Sequence, residues 1–278
     1  SFEGTTGSER QLTIEGTGRL TLAAAFTVRG GRGRIGNQFE TGGANVLVNE
    51  GTILSDVSGQ TLNIQPSSTG SFTNDGTLSA ENGGTLNVTG FTGNAGDLTI
   101  AGRSSLILSG TSYVLNQGLE VATGQSVALL GSWSNTGTLQ ISGGTLSLGG
   151  SFTTSGIGTF SRTPNTAGTV NLTGTLNNSG AELTLDAASG SWRLLGGTIN
   201  GGTINFADGQ TLVTTTTGGT LSGVTLNGDL TLSPDNAFVR VTNGLMLNGT
   251  AHLSGSNTQI RSIGNQTIGG MGSISFEG

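Results

Sequence analysis

The chain has 278 residues, a net charge of −6, 52 glycines, no cysteine and one histidine. Those figures exclude a disulfide framework, a thiolate metal site and a multi-histidine centre, and the few cations, all arginine, disfavour a nucleic-acid binder. Charged residues make up 9% of the chain, against roughly 25% in ordinary globular domains, and no apolar run reaches the roughly 18 residues of a membrane-spanning helix. Ser1, in place of an initiating methionine, points to a processed product or a fragment.

In chain order, short apolar-polar-apolar stretches come first: Leu12-Thr13-Ile14, Leu20-Thr21-Leu22 and Phe26-Thr27-Val28. Period-two alternation marks half-buried strands. Arg29-Gly30-Gly31-Arg32-Gly33-Arg34 follows, and five of the ten arginines lie in the first 34 residues. It has no interleaved aromatics, so a solvated turn or a contact with acidic groups is expected there rather than RNA binding. Arg34 also stands where a calcium-binding glycine repeat needs aspartate, so calcium is not supported.

From residue 49 a landmark recurs: asparagine, then usually glycine one or two places on, then an aliphatic residue. It falls at Asn49, Asn74, Asn94, Asn116, Asn135, Asn178, Asn200, Asn227 and Asn248, a mean period of about 22 residues. One unit lacks its asparagine, near Ser155-Gly156-Ile157-Gly158. Three stretches follow each landmark, as in Leu139-Gln140-Ile141, Leu146-Ser147-Leu148 and Phe152. Gly, Ser, Asn and Asp separate them and supply turns. No segment carries a helical apolar stripe. Thr214-Thr215-Thr216-Thr217, in the longest unit, reads as a loop or widened corner.

A strand of three to five residues cannot bury itself, but stacked at about 4.8 Å on its counterpart in the next unit it can. The expected fold is all-β: a parallel β-helix of about a dozen coils, three strands per coil, one solenoid domain over residues 1–278. The asparagines are expected to stack as a sheltered row at one corner. Phe72, Phe91, Tyr113, Trp133 and Phe152 recur once per coil and are expected to form a buried aromatic stack, with Leu176, Ile199, Leu226 and Leu247 following at the same position.

Candidate chemistry is sparse. Asp186, Asp208 and Asp235 sit eight residues after three successive landmarks, where other units carry Gly102, Gly124, Gly143 and Asn82. That substitution set is corner chemistry; paired carboxylates of a glycoside hydrolase are the alternative. His252 stands alone and is expected to be solvated. Thr-x-Thr pairs at Thr136/Thr138 and Thr173/Thr175 do not recur in register, which argues against an ice-binding lattice. No catalytic residue, cofactor or metal is assigned. At the termini, Ser1-Phe2-Glu3-Gly4 recurs as Ser275-Phe276-Glu277-Gly278.

Units such as Asn135-Thr136-Gly137-Thr138-Leu139-Gln140-Ile141-Ser142-Gly143-Gly144-Thr145-Leu146-Ser147-Leu148 resemble the repeats of filamentous-haemagglutinin-type adhesins and autotransporter passengers, over roughly residues 9–270. That resemblance implies a right-handed coil, export in an unfolded state and a bacterial extracellular or cell-surface location. The expected function is a structural rod, not an enzyme: a stalk, adhesin shaft or filament block whose partner is itself, end to end or as a continuing chain. A glycan-binding or glycan-cleaving β-helix, with host or matrix glycans as partners, is the alternative. Nucleic acid and a membrane span are not expected.

Overall fold

The computed structural model describes residues 8–164 and 166–277. They wind into an all-β parallel solenoid of about 13 turns with about 21 residues per turn. The one helical element among them is a 3-10 turn at Ser155–Ile157. Stacked at about 4.8 Å, such coils make a rod roughly 60 Å long.

Each coil carries three strands, and like strands stack into three faces. On one face Thr61–Ile64 continues through Thr85–Val88, Ser105–Leu108 and Ser126–Leu129 to Thr145–Leu148, all parallel. Its inward column runs Leu62, Leu86, Leu106, Val127, Leu146, Val170, Trp192, Leu212, and every member is buried. Alternation drives this: the Leu of each Thr-Leu-x-Leu points in, and the polar neighbour points out. Leu139, Ile141, Leu146, Leu148 and Phe152 are all at most 3% exposed.

The second face holds Val46–Asn49 and Ser71–Asn74, and its later column reads Phe152, Leu176, Ile199, Leu221, Val241. Leu221 and Val241 therefore hold the places expected of Leu226 and Leu247. Those two sit on the third face, above Ile204, because Asn200 stacks on Ser222, an ordinary step, and the excess of the long unit falls after it, between Ser222 and Asn227. The Thr214 run is a second correction. Thr214 closes the strand Leu212–Thr214, and both Thr214 and Thr215 are buried. Their hydroxyls donate to Thr231 O at 3.1 Å and Leu194 O at 2.8 Å, which makes burial tolerable.

The third face is interrupted. It pairs Thr27–Gly30, Thr52–Ser55, Thr77–Ala80 and Asp97–Ile100, then separately Leu119–Ala122, Thr138–Ser142 and Thr159–Arg162. No ladder among the described residues joins Asp97–Ile100 to Leu119–Ala122, or Thr159–Arg162 to Glu182–Leu185. At the first break Gln125 bridges: its Nε2 donates to Ile100 O at 2.9 Å and its Oε1 accepts from Ala122 N at 2.8 Å.

Candidate functional site

The asparagines divide in two. Asn49, Asn74, Asn135 and Asn178 are buried. Asn49, Asn74 and Asn135 each donate from Nδ2 to the carbonyl of the glycine two residues on, at 3.1, 2.9 and 3.3 Å. Each also reaches the next coil: Asn49 to Asn74 Oδ1 at 2.7 Å, Asn74 to Ala95 O at 2.6 Å, Asn135 to Ile157 O at 2.9 Å. One amide thus closes its own corner and ties it to its neighbour, which is the physical content of the Asn-x-Gly motif. Asn178 donates to Thr203 O at 3.1 Å.

The other five do not belong to the sheltered row. Asn94, Asn200, Asn227 and Asn248 are exposed, and Asn116 is half-buried with its Oδ1 accepting from Gly96 N at 3.0 Å. Corner length is the cause. Register shifts after Val88 and at Phe91 put Ala95, not Asn94, into the buried slot; one coil on, Leu115 pairs with Asn135 and leaves Asn116 beyond it. A one-residue slip moves a side chain to the opposite side of a strand. Asn200 pairs with Asn177, one place before Asn178. Asn227 and Asn248 instead build an outer ladder: Asn227 donates to Asn205 Oδ1 and Asn248 to Asn227 Oδ1, both at 2.8 Å. Asn74→Ala should lower stability by about 1–3 kcal/mol, because two carbonyls and the Asn49 amide lose partners. Asn94→Ala should change it by less than about 0.5 kcal/mol. Urea unfolding of the pair measures the difference.

Phe72, Phe91, Tyr113, Trp133 and Phe152 are all buried, at most 4% exposed. Phe72 and Phe91 lie 5.2 Å apart between ring centroids, Phe91 and Tyr113 5.3 Å, Trp133 and Phe152 4.6 Å. The polar tips are satisfied by Tyr113 O–H donating to Leu108 O and Trp133 Nε1 to Gly149 O. These rings are core and offer no exposed stacking platform.

The corner acids accept backbone N–H groups. Asp208 has φ +53°, like Asn82 at the same position, while Gly102 and Gly124 have +65° and +82°. Asp208 accepts from Ala187 N at 3.1 Å, Asp235 from Ser256 N at 2.8 Å. Ser189 and Ala188 donate to Asp186 and hold its carboxyl below the usual range. Glu15 accepts from Thr41 N, Glu40 N and Phe39 N at 2.8 to 3.2 Å, which lowers its pKa likewise. No cluster of three His, Cys, Asp or Glu able to hold a metal occurs among the described residues. In the glycine-arginine segment, Arg29 pairs with Asp56, and Arg34 with Glu9 at 2.8 Å.

His252 is not simply solvated, as its isolation in the sequence leads one to expect. Stacking of three coils brings Glu277 Oε1 to 2.5 Å from its Nδ1 and Asp229 Oδ2 to 3.7 Å from its Nε2. The Glu277 hydrogen bond holds the His252 pKa above its ordinary 6.5, and the same bond holds Glu277 below 4.5. A raised histidine stabilises fully below its unfolded pKa, and this is lost as pH rises through the folded value. A depressed glutamate stabilises above its unfolded pKa, and this is lost as pH falls through the folded value. The clasp is therefore strongest between those limits, near pH 5.5. Amide exchange in Ser273–Phe276, corrected for intrinsic rate, should be slower at about pH 5.5 than at about pH 8, and His252→Gln should abolish the difference.

The last coil presents apolar surface. Among the described residues its strand Ser273–Phe276 pairs on one side only, with Thr250–Leu253. Phe276 is 84% exposed, Ile274 41% and Ile268 40%. With Ile260 and Leu253 they line a hollow of about 320 Å³. Ser1–Gly4 and Gly278, the remaining parts of the repeated terminal motif, lie outside the described residues. No described helix is long and apolar enough to cross a membrane. Comparison with family models, curated proteins and solved structures returns no match to this chain.

Proposed function

We propose that this chain is an extracellular structural rod: a stalk, adhesin shaft or filament block of the filamentous-haemagglutinin type, acting as a scaffold rather than a catalyst. The observation that carries the reading is the stack itself: about 13 coils of about 21 residues whose inward columns run on from coil to coil. Phe276, Ile274 and Ile268 expose an inward-type apolar layer beside an unpaired strand edge. Such an edge accepts a further strand. A following coil, from a second copy or from the same polypeptide, would cover the layer as Ser273–Phe276 covers Thr250–Leu253. Head-to-tail contacts of this kind propagate instead of closing. Turn-rich corners and short strands, stacked at about 21 residues per coil, suit a load-bearing shaft.

Electron microscopy and light scattering of the native protein test this. Fibres many coils long are expected, with a concentration dependence that Ile274→Asp together with Phe276→Asp removes. Monodisperse particles about 60 Å long at all concentrations would overturn the reading.

A further inference from the structure

The second break on the third face differs from the first. Among the described residues no side chain bridges it as Gln125 bridges the other. Between Thr159–Arg162 and the coil of Glu182–Leu185 lies a cavity of about 260 Å³. Phe160 and Trp192 line it, their ring centroids 6.1 Å apart and tilted 55°. Phe160 is half-buried and Trp192 only 1% exposed. Among the described residues the buried Trp192 Nε1 finds no hydrogen-bond partner, whereas Trp133 Nε1 donates to Gly149 O.

The polar lining supplies the complementary groups. Asp186 Oδ1 accepts from Ala188 N, Ser189 N and Ser189 Oγ at 2.9 to 3.1 Å, so that oxygen is committed while Oδ2 accepts no bond within the described residues. The Ser189 hydroxyl donates to Asp186 and Thr184 O and accepts from Asp186 N at 2.8 Å, which leaves one lone pair uncommitted. Thr154 and Thr184 complete the lining. The volume lies just under the roughly 300 Å³ where pockets for drug-sized ligands begin, which limits the occupant to about one six-membered ring.

We propose that this cavity binds a single monosaccharide-sized polyol, with ring C–H groups against Phe160 and hydroxyls donating to Asp186 Oδ2 and Ser189 Oγ. A free anion is disfavoured by the ionised Asp186, and a purely apolar ligand would leave the carboxylate unmatched. The site is lateral and does not depend on whether the rod assembles end to end.

The test uses the full chain carrying Trp133→Phe, which leaves Trp192 as the one indole reporter. Its emission is followed during titration with glucose, galactose, mannose and N-acetylglucosamine, with acetate and benzyl alcohol as controls. A saturable change with at least one sugar is expected, weakened about tenfold or more by Phe160→Ala and by Ala188→Phe. Ala188 is exposed and lines the cavity, so its phenyl ring blocks entry without touching the core. Circular dichroism verifies the fold of each variant. The proposal is overturned if none of the four sugars gives a saturable response, if only benzyl alcohol or acetate does, or if Ala188→Phe responds like the parent.

Discussion

Leu146→Asp is expected to cost more than about 4 kcal/mol and to prevent stable folding of the middle coils. Leu146 is 0% exposed and stands between Val127 and Val170 in a continuous buried inward column. A carboxylate there would be stripped of water with aliphatic groups above and below it and no donor in reach. The effect spreads because a solenoid coil is stabilised only by its two neighbours. Once the coil at 145–148 opens, the coils on either side each lose one stacking face. Ser147→Asp, on the adjacent outward and half-buried position, is the control and should shift stability by no more than about 0.5 kcal/mol. Urea unfolding of the two variants compares them directly. Equal midpoints would mean that the inward register is wrong.

Gly131→Ala is expected to be nearly as damaging, at about 3 kcal/mol or more, although it adds one methyl group. Gly131 has φ +76°, a region that side chains avoid. It also pairs in register with Gly110, and a Cβ on it would lie 2.0 Å from the Gly110 carbonyl oxygen and 2.7 Å from its nitrogen. The clash is with backbone, and that backbone is held at the sheet spacing by ladders on both sides. The same column repeats above: a Cβ on Gly150 would come within 1.9 Å of Gly131 O. Relief requires opening the stack. Gly59→Ala separates the two causes, since Gly59 has φ +69° but open space around its would-be Cβ. Conformational strain alone predicts about 1–2 kcal/mol there. Thermal unfolding of both variants gives the excess due to stacking.

Much of this architecture is legible in the residues themselves. Thr145-Leu146-Ser147-Leu148 and its counterparts alternate with period two, and that period is a local property of extended backbone. The recurrence of such stretches, three to a unit, then dictates stacked coils, because strands this short have no other way to bury one face. The burial of Leu139, Ile141 and the five aromatic residues follows from the same alternation.

Corners are different. Asn74 and Asn94 share the same local motif, yet one is sheltered and the other exposed, because a single added residue reverses the side to which a position points. Only stacking of whole coils decides where that residue is absorbed. Stacking also creates contacts with no trace in local sequence: His252 meets Asp229 and Glu277 from the coils on either side, and Gln125 spans a break in the third face. The unbridged break beside Phe160 and Trp192 belongs to the same class. Composition and period therefore determine that the chain is a solenoid and which residues fill it. The three-dimensional register between neighbouring coils, set by backbone hydrogen bonds tens of residues apart in sequence, alone decides which asparagines brace it, which charges pair and where its wall opens.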